Sequence, residues 1–452
     1  MTVLTLRQEA WFQTTKRLLA ALVNEGLVDA KVEGPTTEGD QYLRLSARGA
    51  QRDGSEGYLI VKVNPGATIE ERNRELPLKT VDPENIPGML TPDITFISIA
   101  LTEVRFSGPF EELLQPLLRS LQIPGVPKGQ TVVPCLTQQL PSILRRFPNA
   151  IILETIADSA YAQASLRTLT LRSDIGYPFQ LKLSLACQIT SALRTITPWS
   201  AMGGPRISKI LVKFLPANLW VFREVASVTG SQADFDDAKH LSCILREDLE
   251  ARAENNNEVL IIAAALTQQP HGGSQSYAEI IFGLKSVYQK QEWFRLYVQM
   301  LLELFLPPLV NHGIGLEAHG QNVVARVCRA TGKVKGFAVR DFGGIRLHTP
   351  TLRRQGVKFD KMLSGWVVLT ESMNDVLEKV HHSLLQNHIG FLLNSLCLER
   401  HDGWNIVRDV LEVVLSPVDG SPRNDIYKWF MNDTMLLKCF LRMRMQQKYR
   451  DL

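Results

Sequence analysis

The chain has 452 residues, 45% of them hydrophobic, and 50 Lys and Arg stand against 46 Asp and Glu for a net charge of +4. That length predicts two or three domains with ample core, and so balanced a charge is not the footprint of a nucleic-acid binder. The six cysteines are scattered without metal-ligand or redox spacing, which predicts buried thiols in a reducing compartment.

The unbroken apolar run Val259–Leu266 is less than half the ~20 residues of a membrane span. The first residues meet Arg7 and Glu9 too early for a signal peptide. The expectation is a cytoplasmic protein without a membrane anchor.

In chain order, residues 8–26 carry Trp11, Leu18, Leu19, Leu22 and Val23 at helical spacing and end at Gly26. Residues 31–63 predict short antiparallel strands, notably 41–45 and 58–63. The span 65–92 is rich in proline and charge and reads as loop. A helix follows over 109–121, then a Pro-Gly-rich link at 123–130 that we take as a domain boundary. Three domains are expected, over 1–130, 131–240 and 241–452. Histidine is absent before His240, so imidazole chemistry has to come from the second half.

Residues 164–171 alternate as a strand, with Ser165 and Arg167 on one face. After a turn, residues 179–185 place Phe179, Leu181, Leu183 and Leu185 on one side and Lys182 on the other. Residues 189–196 read as a helix that would set Thr190 and Arg194 four apart on one face. A serine, two threonines and three cations on polar sides suit an anion, since Arg offers a planar fork and Lys a point charge. An ordinary basic surface is the alternative.

The apolar run 294–310 predicts a helix closed by Gly313. Residues 323–329 and 334–341 favour strands joined by a hairpin turn at Thr331-Gly332-Lys333. The second strand would set Phe337, Val339 and Asp341 on one face. Just ahead lies Glu317-Ala318-His319-Gly320-Gln321-Asn322, and just after it Arg340-Asp341-Phe342-Gly343-Gly344. A hairpin of this kind brings His319, Asn322 and Asp341 to one spot, where they suit a nucleotide and its magnesium ion. A backbone-bonded His319 and a local Arg340–Asp341 salt bridge are the plainer readings.

These motifs, in this order, resemble the siderophore synthetases that work independently of nonribosomal peptide synthetases, the aerobactin-synthetase-like enzymes. The likeness runs from about residue 130 to the end. It implies an α+β fold of thumb, fingers and palm around an ATP cleft, usually in a dimer. It also implies activation of a carboxylic acid as an acyl-adenylate and its coupling to an amine or alcohol, with release of AMP and pyrophosphate.

By the same resemblance Ser165, Arg167, Thr168 and Lys182 correspond to contacts with the ATP phosphates, and Thr190 and Arg194 to contacts with the acid. His319, Gln321 and Asn322 correspond to nucleotide-binding positions, and Asp341 to an acid that helps hold Mg2+, with Asn322 and Glu317 beside it as candidate ligands. Arg167, Lys182 and His319 are the candidate catalytic residues. Lys438, in Leu436–Arg442, corresponds to a lysine near the acid.

Two departures stand out. The histidine-proline motifs of the family's first half are missing, and residues 134–139 read Pro-Cys-Leu-Thr-Gln-Gln in place of one of them. This puts citrate in question more than ATP. Gly320 replaces a glutamine common in the palm motif.

The adjacent pair His381 and His382 points in two directions and makes a poor metal site, while His240, His271, His312 and His348 read as structural. Asp341-Phe342-Gly343 behind His319-x-x-Asn322 also echoes a kinase-like phosphotransferase, but no glycine-rich loop precedes it. A non-catalytic binding protein of the same fold is a further alternative.

Overall fold

The structure, a computed structural model, describes residues 28–33, 41–47, 58–63, 86–189, 192–359, 362–416, 418 and 420–432. The predicted helix over 8–26, Thr190 and Lys438 lie outside them. By its internal contacts the chain divides into two compact units, one of residues 1–80, 186–194 and 438–451 and one built on 81–185 and 195–437.

In the first unit β1 (Val28–Glu33), β2 (Gln41–Ala47) and β3 (Tyr58–Val63) form an antiparallel sheet in that order, in the region where short strands were expected. Of the segment expected as a helix over 189–196, Ile189 and Ala192–Arg194 are instead strand. Strands β11 (Leu185–Ile189) and β12 (Ala192–Arg194) pair as a two-stranded sheet. A short apolar run has no periodicity that separates helix from strand, and pairing decided it.

The second unit holds both functional clusters. In one sheet β4 (Ile94–Ala100) lies between β6 (Gln130–Leu136) and β7 (Ile151–Ile156), so the link at 123–130 joins two parts of a chain paired across it. Helix α1 (Phe110–Ser120), close to its predicted bounds, buries Phe110, Leu114, Leu117 and Leu118.

A six-stranded sheet has the order β5 (Val104–Ser107), β14 (Glu224–Gly230), β15 (Ser242–Glu247), β10 (Phe179–Leu183), β9 (Thr168–Leu171), β8 (Ala160–Ala162). A four-stranded sheet has the order β13 (Leu219–Val221), β19 (Val334–Val339), β18 (Val323–Cys328), β16 (Glu258–Ile262). Its β13–β19 pair is parallel and the other two pairs are antiparallel. A small third sheet joins β17 (Ile314–Gly315), β20 (Arg346–His348) and β21 (Leu369–Thr370). Helices with mostly antiparallel sheets make a mixed α+β fold, as expected.

Helix α2 (Pro198–Phe214) packs on β14, where Ser227 donates to the Ala201 carbonyl and the Glu224 N–H donates to Ser208 Oγ at 2.8 Å. Helix α3 (Val287–His312) begins with a capping box between Ser286 and Gln289 and ends at Gly313, which adopts φ 63° as a C-terminal glycine. This helix is long and apolar enough to cross a membrane by length and composition, yet Phe294, Leu301, Phe305 and Leu309 are buried in the main core. Burial of its apolar stripe accounts for that composition.

The segment that replaces the expected histidine-proline step has a packing role. Gln139 is fully buried and donates to the His240 carbonyl at 3.1 Å, with its amide nitrogen 3.2 Å from His240 Nδ1. Burial first, then the nearby Arg146, Lys239 and Arg145, push the His240 pKa down to about 3.

A histidine held neutral in the fold costs stability once the unfolded chain can take up the proton. His240 therefore gives its full contribution above the unfolded value of about 6.5 and loses it as pH falls toward its folded pKa, with a slope of about 1.4 kcal/mol per pH unit. Denaturant unfolding between pH 7 and 4 should show this slope, and His240→Gln should lessen it. An equal slope in the variant refutes the assignment.

Candidate active site

Lys182 sits on β10 with its side chain only 4% exposed. The sheet register sets it opposite Thr168 on β9 and Ile244 on β15, and it sets Arg246 opposite both Gln180 and Glu224. The face that alternation predicted to be polar is therefore polar but buried. Lys182 Nζ donates to Glu224 Oε1 at 3.0 Å and to Asp341 Oδ1 at 3.0 Å. A lysine this buried between two carboxylates is no part of a basic surface.

Helix α2 must come close for this to form. A Cβ on Gly204 would lie 2.0 Å from Glu224 Oε2, so a side chain there would push the carboxylate off its bond with Lys182.

Arg167 lies just before β9, and its N-terminal neighbours are not strand. Ser165 and Leu166 form a turn: the Leu166 N–H donates to the Gln163 carbonyl at 2.7 Å, Leu166 adopts φ 60°, and Ser165 Oγ donates to Thr168 Oγ1 at 3.0 Å. The strand begins only at Thr168, because Gln163 and Thr168 close the loop backbone to backbone at 2.8 Å. Arg167 Nη1 donates to the Thr195 carbonyl at 2.7 Å, and its Nη2 lies 3.8 Å from Asp341 Oδ2.

Asp341 also departs from its expected place. β19 ends at Val339, and Asp341 takes a left-handed φ of 64°, so it does not share the face of Phe337 and Val339. That conformation is tolerated best by Asn and Asp among residues with a Cβ, and strained backbone collects at functional sites. Burial would raise its pKa, but Lys182 and then Arg167, with the Lys182 hydrogen bond and Arg246, hold it well below the usual carboxylate range.

Arg340 bonds partners other than its neighbour Asp341. Its Nε donates to the Gln321 carbonyl at 3.0 Å and its Nη1 to Gln163 Oε1 at 2.7 Å. Gln163 Oε1 also accepts from Arg246 Nη2 at 2.7 Å. Arg340 Nη2 is buried and has no hydrogen-bond partner among the described residues. Burial and the like charge of Arg340 bring the Arg246 pKa down to about 9. Four cations, Arg167, Lys182, Arg246 and Arg340, thus gather around the carboxylates Glu224 and Asp341, with Asp248 at the margin.

The palm motif is drawn to the same place. Gln321 Nε2 donates to the Ala164 carbonyl at 3.2 Å, so the two distant motifs touch. Asn322 is buried and donates to the Glu317 carbonyl at 3.3 Å, while Glu317 Oε1 lies 3.6 Å from Lys379 Nζ. His319 is half-buried and its carbonyl accepts from the Asn322 N–H at 2.9 Å. At Gly320 a Cβ would lie 3.0 Å from the Ala264 nitrogen, whose N–H donates to the Gly320 carbonyl. A side chain there would press on the Ala264 backbone.

Of the expected residues, Ser165, Arg167, Thr168, Lys182, Gln321 and Asp341 are joined by direct contacts or chain neighbourhood, and Glu317, His319 and Asn322 form the adjoining loop. Arg194 ends β12 in the other unit. No group of three or more His, Cys, Asp or Glu that could hold a metal occurs among the described residues, His381 and His382 included. A separate cavity of about 830 Å³, lined by Arg353, Phe359, Trp366 and neighbours, contains none of these side chains.

The sequence reading missed Glu224, Arg246, Gln163 and Gln180. A charged residue in an apolar strand, as Arg246 is in Ser242–Glu247, was the available signal, since it needs a partner when buried.

Profiles of two families match the chain: the "IucA / IucC family" over residues 148–268, and the "Ferric iron reductase FhuF-like transporter" over residues 291–451. An NRPS-independent siderophore synthetase-like protein, ankE, of Aspergillus thermomutatus is 49% identical over 83% of this chain and 63% of its own length. The chain is thus similar, over most of its length, to NRPS-independent siderophore synthetases.

The synthetase rfs of Rhizopus delemar is 32% identical over 80% of this chain and 58% of its own length. A D-ornithine–citrate ligase of Staphylococcus aureus is 28% identical over 64% and 49%. The chain thus spans about half to two-thirds of the length of these relatives. Among solved structures, the petrobactin biosynthesis protein AsbB from Bacillus anthracis superposes with TM-score 0.65 at 17% identity, over 93% of this chain and 90% of that one. ATP-bound aerobactin synthetase IucA from Klebsiella pneumoniae does so with TM-score 0.59 at 15% identity, over 75% and 66%. At such identities these two show the fold.

Removing Lys182 strands Glu224, which is 2% exposed. Lys182→Ala should cost about 3–5 kcal/mol, the usual penalty for leaving a buried charge uncompensated. Lys182→Met with Glu224→Gln should regain most of that in denaturant unfolding. A double variant no better than the single one contradicts the pairing.

Proposed function

We propose that this protein is an ATP-dependent ligase that activates a carboxylic acid as an acyl-adenylate and couples it to an amine or alcohol, in siderophore or related specialised-metabolite synthesis. The observation that carries the reading is the buried gathering of Arg167, Lys182, Arg246 and Arg340 where the two motifs meet, with an unpartnered Arg340 N–H. Such an excess of buried cations needs anions, and a triphosphate supplies them. Likeness to the siderophore synthetases, the ligase named for the Staphylococcus relative, and the ATP-bound state of the Klebsiella structure support the same reading.

The reaction follows from charge. A carboxylate oxygen of the acid attacks the α-phosphorus of ATP, forming the new P–O bond as the α–β bridging bond breaks and its electron pair leaves with pyrophosphate. Both reactants are anions, so Arg167 and Lys182 screen their repulsion and stabilise the charge that builds up. Ser165 and Thr168 hold phosphate oxygens, and His319, Gln321 and Asn322 hold the nucleoside. A neutral amine then adds to the acyl carbon, AMP departs with the bonding pair, and the nitrogen gives up a proton. Thr190, Arg194 and Lys438 are assigned to the acid.

The oxygen donors of Asp341, Glu317 and Asn322 suit Mg2+, which takes one or two carboxylates together with substrate phosphates. When bound, the ion would neutralise phosphate charge. The protein is further proposed to be a cytoplasmic homodimer with thumb, fingers and palm regions. The acid is left as a di- or tricarboxylate, because the family's histidine-proline motifs are missing.

One observation favours a second reading. The Lys182–Glu224 ion pair beside Asp341-Phe342-Gly343 resembles the lysine–glutamate pair and magnesium-binding aspartate of kinases. The nucleotide product separates the two: AMP with pyrophosphate for a ligase, ADP for a kinase. Pyrophosphate release over a panel of di- and tricarboxylic acids, with and without amines, should show acid-dependent AMP. Arg167→Ala should lower that rate about 10²–10³-fold, as loss of a charge-stabilising donor does. ADP as product, or ATP binding with no turnover for any acid, would remove the ligase reading.

A further inference from the structure

The loop that carries Glu317 and His319 rests on a helical segment no motif pointed to. Helix α4 (Met373–Val380) runs directly into a π-helical stretch, His381–Ile389. Three side chains of this segment meet the loop. Lys379 Nζ lies 3.6 Å from Glu317 Oε1. Ser383 Oγ accepts from the Ala318 N–H at 3.1 Å and lies 3.3 Å from the Leu316 carbonyl. His388 Nδ1 is 3.0 Å from the Ala318 carbonyl.

A carbonyl only accepts, so His388 carries its proton on Nδ1. Its Nε2 then accepts from the Tyr297 hydroxyl, 2.9 Å away on α3. His388 is 3% exposed, and burial brings its pKa down to about 4 in spite of the Ala318 bond. The ring is thus neutral and fixed in one tautomer, spanning the main core helix and the loop backbone.

The spacing of the three contacts matters. Lys379 and Ser383 are four apart, as on one face of an α-helix. Ser383 and His388 are five apart, which an α-helix would rotate away from the shared stripe. The π turn bonds i to i+5 and supplies the additional residue. Asn387 supports the turn, because its side chain donates to the His382 carbonyl at 2.6 Å, again five residues back. π-Helical turns cost regular geometry and gather at functional sites.

We infer that the π turn His381–Ile389 is a positioning device for the proposed nucleotide site, with His388 the residue that fixes the His319 loop in place. His388 touches neither nucleotide nor acid in this account, and it acts through the Ala318 backbone. The inference rests on the ATP reading for its kinetic consequence, but its structural content stands apart from it.

Three variants test it: His388→Phe, which keeps the ring volume without the bonds; His388→Gln, which keeps a donor; and Tyr297→Phe, which removes the hydroxyl. Hydrogen exchange of peptides covering 316–322 reads the loop directly. In His388→Phe it should accelerate about tenfold while peptides of β10 stay at the wild-type rate. Calorimetric ATP affinity should weaken about tenfold in parallel, and His388→Gln should restore most of both. Tyr297→Phe should give a smaller change of the same kind, and it is the variant to read if His388→Phe does not fold.

Wild-type exchange at 316–322 in both phenyl variants, or acceleration spread evenly over the protein, overturns the inference. If the wild-type protein fails to bind ATP, the nucleotide reading falls, and the exchange data still decide whether the π turn holds the loop.

Discussion

The site depends on one lysine between two acids. Lys182 on the six-stranded sheet bonds Glu224 on the same sheet and Asp341 beyond the end of β19 in the four-stranded one. Bringing a lysine out of water to 4% exposure is unfavourable unless its charge is met. Glu224 meets it within the sheet, and Asp341 fixes where the second sheet must come. Helix α2 is shaped to this demand, with Gly204 placed where any side chain would strike Glu224.

Around that bridge the polar groups are shared as well as paired. Gln163 Oε1 serves two guanidinium groups, Gln180 serves Arg246, and Arg340 reaches both Gln163 and the Gln321 backbone. Buried networks of this kind fix geometry when fully satisfied, and a group left unsatisfied in one calls for an explanation. Here the unmatched group is an Arg340 N–H, next to an excess of positive charge. Under the proposed function a phosphate oxygen would meet that N–H. The loop of Glu317 and His319, tied to Gln321, is backed by side chains from the π turn.

The sequence disclosed the parts that are local. Helices α1 and α3, the hairpin of β18 and β19, and the polar face of β10 follow from periodicity and caps. That Lys182 and Asp341 share one site was implied only by the resemblance to the siderophore synthetases. Three elements went the other way for physical reasons. The Ser165–Leu166 turn is set by a backbone closure between Gln163 and Thr168, and Asp341 leaves its strand by a left-handed φ. Residues 185–189 and 192–194 became strands because pairing outweighed an ambiguous apolar run. Glu224 and His388 were silent, and Arg246 showed only as a charge in an apolar strand, since their partners are determined by sheet order and by a π turn that no hydrophobic period reveals.

The central claim is that both sheets hold one nucleotide. A structure determined with a non-hydrolysable ATP analogue tests it most directly. The account predicts phosphates against Arg167 and Lys182 and the nucleoside against the loop His319–Asn322 in the same molecule. A nucleotide seated instead in the 830 Å³ cavity beside Trp366, with Lys182 still closed on Glu224 and Asp341, would contradict it.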